Sequence, residues 1–505
     1  MKRKNNKIIS LVVGSILALL SLSACNGEAD RPKTLLPDYS ATKEQFEFFA
    51  YRPLSDGTYY MDGVECNSGE LRTPENYKIY KDAGFTMAFV SAYQGEDWET
   101  SDTKREMDML YQAGVERVLI KDMRIVHDLA KFDTTESVEE YEAYVKECIM
   151  TYVNEPNFYG FSLGDEPLWD KAEDYGKIYK AMRNATAELG KPNIYIHMNF
   201  LPIDGGSCGD GKYAPLGSFE TFEEAYEFYI ESFLKATGAD RISVDIYFFR
   251  GNGLYPGSYA NLQILKRLCK QYNAELTFCL QSFNEYSTTR ERFATMDESM
   301  MRMELETMIG MGLDHFAYFT YCTPEYLSTT GSMNFDGGSF LTRAGKPTNI
   351  YYYGKELMED AKKFQQVVLN YDYRGCKLYT SKVASFNNRP YLSSSEDPST
   401  HTSILFDNSY EFSLLKGVEI DNDVAFVTEL KDEENALYMY MVQNAIDPRN
   451  AEYGRTDMNV KVDFGKDYKW VAEFNCGELR YVKLNNGIYE KTLSAGYAVY
   501  LVPLN

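Results

Sequence analysis

Between residues 46 and 372 the chain alternates short apolar runs with longer stretches in which apolar residues recur every three or four positions. Strands that alternate with helices in this way are typical of parallel sheets with crossover helices. The apolar runs number eight, which favours a closed (β/α)8 barrel over an open sheet. The predicted strands are Phe46–Tyr51, Phe85–Ser91, Arg117–Lys121, Tyr159–Leu163, Asn193–Asn199, Ile242–Tyr247, Leu276–Gln281 and Phe316–Tyr321.

The pattern changes near residue 374, where strand-like runs follow one another without an amphipathic helix between them. Turn residues such as the Asn-Asn-Gly at 485–487 separate these runs, and this arrangement indicates an all-β module of the sandwich type. The sequence therefore predicts an α/β fold class. A (β/α)8 TIM barrel is expected over residues 45–373 and a C-terminal β-sandwich domain over residues 374–505.

The first 25 residues have the pattern of an export signal. Four basic residues precede an apolar stretch at 8–22, which is too short to span a bilayer comfortably. The stretch ends in Leu22-Ser23-Ala24-Cys25, which resembles the lipobox of bacterial lipoproteins. That resemblance implies a lipoprotein signal peptide over residues 1–24 and lipid on Cys25; an ordinary signal peptide is the alternative. Residues 25–44 are then a polar tether, and the protein is exported and anchored to the bacterial cell membrane, facing outside.

The net charge and the aromatic content of the chain indicate which classes of molecule it is expected to bind. The chain has 505 residues, with 75 acidic against 52 basic side chains, and a net charge of −23. A nucleic-acid partner is not expected, because no basic surface is available to displace counterions from a phosphate backbone. Tyrosine is abundant, with 42 residues, and its rings suit stacking on ring-shaped ligands. No cofactor motif and no metal-ligand spacing is present, so neither a cofactor nor a metal is predicted.

In a barrel of this kind the reactive groups lie at the C-terminal ends of the strands. The clearest candidates are in Gly160-Phe161-Ser162-Leu163-Gly164-Asp165-Glu166-Pro167, where the fourth strand carries Asp165 and Glu166 to that face and Pro167 ends it. This motif resembles the end of strand 4 in glycoside hydrolases of clan A, which reads Asn-Glu or Asn-Glu-Pro and whose Glu is the general acid/base. The resemblance implies a surface-anchored glycosidase that cleaves an oligo- or polysaccharide with Glu166 in that role.

One position departs from the clan pattern. Retaining enzymes of clan A take a nucleophilic Glu from the end of strand 7, where this chain has Gln281. An amide cannot attack an anomeric carbon to form a glycosyl ester. Asp245, on the sixth strand, and Glu285, in the loop after the seventh, are the candidates for a second carboxylate, and the sequence does not choose between them.

Three mechanisms therefore stay open. In the first, Glu166 is the acid and Asp245 or Glu285 is the base or nucleophile, and the separation of the carboxylates decides between inversion and retention. In the second, Asp165 and Glu166 act as the Asp-Glu pair of substrate-assisted β-hexosaminidases does, with the acetamido group of the sugar as nucleophile. In the third, the barrel is degenerate, and the lipoprotein binds glycans without cleaving them.

Polar and aromatic residues at the other strand ends are the predicted substrate-binding groups. They are Asn199, Tyr247, Gln281, Tyr321 and, just after the fourth strand, Trp169. Aromatic faces stack on sugar rings, and side-chain amides bond to sugar hydroxyl groups. The predicted catalytic residues are Glu166, Asp165 and Asp245.

Overall fold

The computed structural model describes residues 32–51, 54–61, 64–126, 138–203, 210–251, 253–255, 257–286, 291–323, 326–327, 338–381, 393–394, 404–448 and 456–505. Eight strands alternate with helices along the first part of the chain. They are β1 (Glu47–Ala50), β2 (Ala88–Phe89), β3 (Val118–Ile120), β4 (Phe158–Asp165), β5 (Tyr195–Phe200), β6 (Arg241–Val244), β7 (Glu275–Gln281) and β8 (His315–Phe319).

These strands form a closed parallel barrel. They pair in the order β1-β8-β7-β6-β5-β4-β3-β2, and every pair is parallel. The ring closes because the backbone amides of Thr86 and Met87, just before β2, donate to the carbonyl oxygen of Phe48 in β1 at 2.8 and 3.1 Å. The predicted barrel is therefore confirmed.

One long helix follows each strand of the barrel. The helices are α1 (Pro74–Ala83), α2 (Asp102–Gln112), α3 (Val138–Ile149), α4 (Ala172–Glu188), α5 (Phe222–Thr237), α6 (Ser258–Tyr272), α7 (Glu298–Gly310) and α8 (Asn349–Val368). The local sequence explains several of their ends. Thr221 and Glu224 form a capping box at the start of α5, and Gly84 ends α1 with φ 113°, a conformation that glycine adopts most readily.

Ion pairs fill the interior of the barrel at the N-terminal ends of the strands. Glu47, at the start of β1, is buried and pairs with Arg117, with Arg241 at 2.8 Å and with His315 at 3.0 Å. The hydroxyl of Tyr159 also donates to Glu47 at 3.1 Å. Each of these charges has an opposite charge beside it, which offsets the cost of removing it from water.

The C-terminal domain is a β-sandwich, as predicted. Its strands are β9 (Asp372–Thr380), β10 (Gly417–Ile420), β11 (Val424–Asp432), β12 (Leu437–Asn444), β13 (Met458–Asp463), β14 (Trp470–Asn475), β15 (Glu478–Lys483), β16 (Ile488–Leu493) and β17 (Ala498–Leu504). They form a six-stranded sheet, β9-β11-β12-β17-β14-β15, and a three-stranded sheet, β10-β13-β16, both antiparallel. The two sheets enclose one core, and the outer face of the larger sheet shares a second core with the barrel helices.

The described part of the predicted tether is packed against this domain. Tyr39 is buried, and its hydroxyl donates to Asp432 at 2.7 Å. The backbone amide of Leu36 donates to the hydroxyl of Tyr481 at 3.4 Å. The segment that precedes β1 is therefore held by a buried ring and is not a free linker from residue 32 onward. The predicted signal peptide and Cys25 lie outside the described residues.

Loops at the C-terminal ends of the barrel strands form two small sheets. The loops after β6 and β7 contribute four short strands, at 249–250, 253–254, 285–286 and 291–293. The loops after β1 and β8 contribute three, at 58–61, 64–67 and 326–327. These two sheets lie on the face where the reactive groups are expected. Within the described residues, no helix is both long and apolar enough to cross a bilayer.

His315 makes the stability of the barrel depend on pH. Burial lowers the pKa of His315, but Asp314, Glu275 and Glu47 outweigh it and raise the pKa to about 9. In the unfolded chain the pKa is about 6.5, so the contribution is complete below that value and is lost as the pH rises through 9. We expect the free energy of unfolding to fall by about 3 kcal/mol over this range, relative to a His315→Gln variant. Denaturant titrations at both ends of the range measure this difference, and a pH-independent difference would contradict it.

Candidate active site

β4 ends in a constrained turn that presents two carboxylates. A Cβ atom at Gly164 would lie 2.6 Å from the ring of Tyr175, so a larger residue would displace this ring. Glu166 has φ 47°, a left-handed conformation that is unfavourable for residues other than glycine and that is concentrated at functional sites. Its backbone amide donates to the carbonyl oxygen of Asn199 at 2.8 Å, which holds the turn against β5.

The side chain of Asn199 links the ends of three strands. Its amide group donates to Asp165 Oδ1 at 3.1 Å, and its oxygen accepts a hydrogen bond from Ser243 Oγ at 3.1 Å. Ser243 lies in β6, two residues before Asp245, so these bonds join β4, β5 and β6. Asn199 therefore fixes the orientation of Asp165. The sequence predicted a sugar contact for Asn199 and did not predict this bond within the protein.

Asp245 is the buried member of the carboxylate cluster. Its side chain is in hydrogen-bonding contact with that of Glu166. Burial, followed by the charges of Glu166 and Asp165, raises the pKa of Asp245 well above its ordinary value. Tyr247 donates a long hydrogen bond of 3.4 Å to Asp245 Oδ2, while Oδ1 is buried and receives none from a donor among the described residues.

Two carboxyl groups in contact disfavour each other's ionisation, so we expect Asp245 and Glu166 to share one proton. Asp245 is buried and Glu166 is exposed, and burial favours the neutral form of Asp245. Retaining glycosidases separate their two carboxyl groups by about 5–5.5 Å and inverting ones by about 6.5–9.5 Å. The separation of Asp245 and Glu166 with substrate bound therefore decides between retention and inversion.

Aromatic side chains line the barrel interior beside the carboxylates. Their ring centroids lie 4.8–6.3 Å apart within the group Phe49, Tyr51, Phe89, Tyr247, Phe283 and Phe319. The hydroxyl of Tyr51 bonds to His197 Nε2, and that of Tyr195 bonds to Nδ1 at 2.6 Å. Burial, together with the charge of Arg241, lowers the pKa of His197 to about 3, so its ring is neutral. An aromatic surface of this kind suits the apolar face of a sugar ring.

The sequence predicts that Tyr51 ends the first strand, but it places only Tyr247, and not Tyr51, among the substrate-binding groups. Burial raises the pKa of Tyr51 well above its ordinary value, and Asp165 and Asp245 are among the nearby groups that raise it further, which places its hydroxyl close to the carboxylates. A signal for this residue exists in the chain. Glu47, at the start of β1, lies inside the barrel, and residues at steps of two along a strand share a face, so Tyr51 is expected inside as well.

Gln281 lies at the end of β7, where the clan pattern has its nucleophile, but its side chain is bonded to backbone groups. Its oxygen accepts from the amide of Phe249 at 3.1 Å, and its nitrogen donates to the carbonyl oxygens of Phe249 and Ala294 at 3.1 and 3.2 Å. The residue is fully buried. The prediction that Gln281 contacts substrate is corrected: its amide ties β7 to the small sheet that follows β6.

Tyr321 is directed away from the cluster. It is 1% exposed and packs against Tyr80, Phe85 and Phe340, in the layer between the barrel and the helices. β8 ends at Phe319, so the alternation of strand faces does not continue to Tyr321. The prediction that Tyr321 binds substrate is therefore wrong.

Trp169 contacts a neighbouring loop. Its indole N–H donates to the carbonyl oxygen of Gly211 at 3.1 Å, and its ring lies 6.1 Å from that of Phe228. The backbone amide of Trp169 also donates to the carbonyl oxygen of Lys212 at 3.1 Å. These bonds use the one polar group of the indole to hold the loop that precedes α5.

Of the two candidates for a second carboxylate, Asp245 lies beside Glu166. Glu285 lies in the small sheet opposite Phe293 and is buried. Among the described residues, no group of three or more His, Cys, Asp or Glu side chains is arranged to hold a metal ion. The arrangement of Asp165, Glu166 and Asp245 is thus suited to proton transfer and to hydrogen bonding with hydroxyl groups.

Replacement of Glu166 tests whether the proton is shared. Glu166→Gln removes the negative charge beside Asp245, so we expect the pKa of Asp245 to fall towards its ordinary value. Infrared difference spectra collected over a pH titration follow the carboxylic acid band of Asp245, and its loss in Asp245→Asn identifies it. A wild-type band that already titrates at the ordinary pKa of Asp would refute the shared proton.

No protein-family model matches the chain, and no curated protein matches it significantly. Among solved structures, an α-amylase from Anoxybacillus is similar, with 11% identity and a TM-score of 0.48, over 91% of this chain and 98% of that one. A glycoside hydrolase family 30 xylanase from Clostridium acetobutylicum has 12% identity and a TM-score of 0.39, over 92% and 96% of the two chains.

A β-galactosidase from Marinomonas ef1 has 9% identity and a TM-score of 0.41, over 64% of this chain. The match spans 60% of the length of that galactosidase. All three similarities are too remote to assign this chain to a family.

Proposed function

We propose that the protein is a glycoside hydrolase in which Glu166 is the general acid/base and Asp245 is the second catalytic carboxylate. The observation that carries this proposal is the contact between the carboxyl groups of Asp245 and Glu166 at the C-terminal face of the barrel. Hydrolysis of a glycosidic bond needs one carboxyl group to protonate the leaving oxygen and another to act as base or nucleophile. A pair of carboxyl groups that holds one proton supplies both the acid and the base or nucleophile.

The different burial of the two groups supports this division of roles. Glu166 is exposed at the rim, where a leaving group departs into solvent, while Asp245 lies deeper, close to Tyr51 and Tyr247. A sugar ring stacked on these aromatic side chains would enter between the two carboxyl groups and separate them. The proton passes to Glu166 along the hydrogen bond before this separation, and Asp245 remains as the carboxylate that faces the anomeric carbon.

Hydrolysis of a glycoside panel by the protein that starts at residue 26 tests this function. With natural glycosides, we expect Glu166→Gln to lower kcat about 10²–10⁴-fold, because the leaving oxygen is no longer protonated. With dinitrophenyl glycosides, whose leaving group needs no proton, Glu166→Gln keeps most of its activity. Asp245→Asn loses activity on both, and Tyr321→Phe, the control in the outer layer, keeps wild-type rates.

Each other outcome has a defined meaning. The reverse pattern, with Asp245→Asn rescued by the dinitrophenyl group, would exchange the two roles. If Asp165→Asn is as damaging as Glu166→Gln, and only N-acetylated sugars are cleaved, the mechanism is the substrate-assisted one. If no glycoside is cleaved while one is bound, the protein is a glycan-binding lipoprotein and not an enzyme.

We propose further that lipid on Cys25 anchors the protein to the outer face of a bacterial cell membrane. The lipobox-like ending of the export signal supports this proposal. In cells that express the full chain, we expect the wild type in the membrane fraction and the Cys25→Ser variant outside it. Equal membrane retention of the two proteins would contradict the anchor.

A further inference from the structure

α7 differs from an ordinary barrel helix because it is buried on all sides. Every residue from Met300 to Gly310 is buried. A surface helix of a barrel normally keeps a polar face towards water. α7 instead lies between the barrel strands and the larger sheet of the C-terminal domain, with residues of both in its surroundings.

On the barrel side, a single carboxylate of α7 binds the end of β7 and the loop that follows β6. Glu304 is fully buried; one of its oxygens accepts from the backbone amide of Phe248 at 3.1 Å and the other from that of Gln281 at 2.9 Å. Phe248 follows Asp245 by three residues and is adjacent to Tyr247. The amide of Gln281 then ties β7 to Phe249, so Glu304 and Gln281 together hold the segment that carries Asp245.

On the other side, the C-terminal domain holds the same turn of α7. The side chain of Gln443, in β12, accepts from Thr307 Oγ1 at 2.7 Å and donates to the carbonyl oxygen of Met303 at 2.9 Å. The hydroxyl of Tyr500, in β17, donates to the carbonyl oxygen of Glu306 at 3.2 Å. These contacts lie directly before and after Glu304 along the helix.

We propose that Glu304 is a positioning residue for catalysis, and that the C-terminal domain acts through it to set the place of Asp245 relative to Glu166. The kinetic consequence of this proposal rests on the proposed glycosidase function. Its structural consequence rests on the hydrogen bonds alone. Displacement of a reacting group by about 1 Å can cost a factor of about 10² in rate. A domain that holds the end of β6 therefore contributes to turnover without touching the substrate.

The chain offers a matched control for Glu304. Glu106, in α2, is also a fully buried carboxylate on a barrel helix, and it accepts hydrogen bonds from the backbone amide of Ser91 at 3.2 Å and from the hydroxyl of Ser91. Ser91 follows β2, which lies four places from β6 around the ring. Glu106→Gln thus makes the same chemical change at a strand end that carries none of the proposed catalytic residues.

Hydrogen exchange tests the structural part without any substrate. We expect Glu304→Gln to speed the exchange of backbone amides in 245–249 and 279–283 by about tenfold, because one of its two acceptor atoms is lost. Gln443→Met, which releases α7 from β12, should have the same effect at 245–249. Glu106→Gln should leave both segments at wild-type rates. Unchanged exchange in Glu304→Gln, or equal changes in Glu106→Gln, would overturn the proposal.

The kinetic part uses the p-nitrophenyl glycoside that the wild type hydrolyses fastest. We expect kcat to fall about tenfold in Glu304→Gln and in Gln443→Met while KM stays within about twofold, because the substrate still binds and only the reacting group is displaced. Glu106→Gln should keep the wild-type kcat. A rise in KM at constant kcat would overturn the positioning role. If the wild type cleaves no glycoside, the proposed function fails, and the exchange experiment still decides whether Glu304 positions Asp245.

Discussion

The contact between Asp245 and Glu166 imposes the main constraint on the C-terminal face of the barrel. An ionised Asp245 would be both removed from water and repelled by Glu166 and Asp165, so these neighbours raise its pKa, and the surrounding backbone has to hold the groups together. The neighbouring structure supplies that support. Asn199 bonds to the carboxylate of Asp165 and to the backbone of Glu166, and this accounts for how Glu166 can stay at φ 47°.

At the two ends of the barrel, the pKa values of buried carboxyl groups are shifted in opposite directions. At the N-terminal end, burial would raise the pKa of Glu47, but His315, Arg241 and Arg117 outweigh burial and lower it. At the C-terminal end, burial raises the pKa of Asp245, and the charges of Glu166 and Asp165 raise it further. The first arrangement favours an ionised carboxylate, and the second favours a neutral acid. The charges of the neighbours therefore decide whether the effect of burial on each of these two groups is reversed or reinforced.

The C-terminal domain completes this arrangement from outside the barrel. β6 stops at Val244, and the chain then turns into a loop. Glu304 and Gln281 bind backbone groups of this loop, and Gln443 and Tyr500 hold the helix that carries Glu304. A sandwich that packs on a helix in this way makes the carboxylate site more rigid, although it acts from behind the helix and not from within the site.

Local patterns in the sequence determined the eight strand-helix units, the sandwich and the position of Asp165 and Glu166 at a strand end. They could do so because strand and helix periodicities, and a strand that ends at a Pro, are properties of short segments. The same patterns misplaced Tyr321, where the strand ends two residues early, and misjudged Gln281, whose amide is used by backbone groups of other loops. Only the tertiary structure placed Asp245 beside Glu166. The partner of Glu166 depends on how β4, β5 and β6 lie side by side around a closed ring, and no single segment of the chain carries that information.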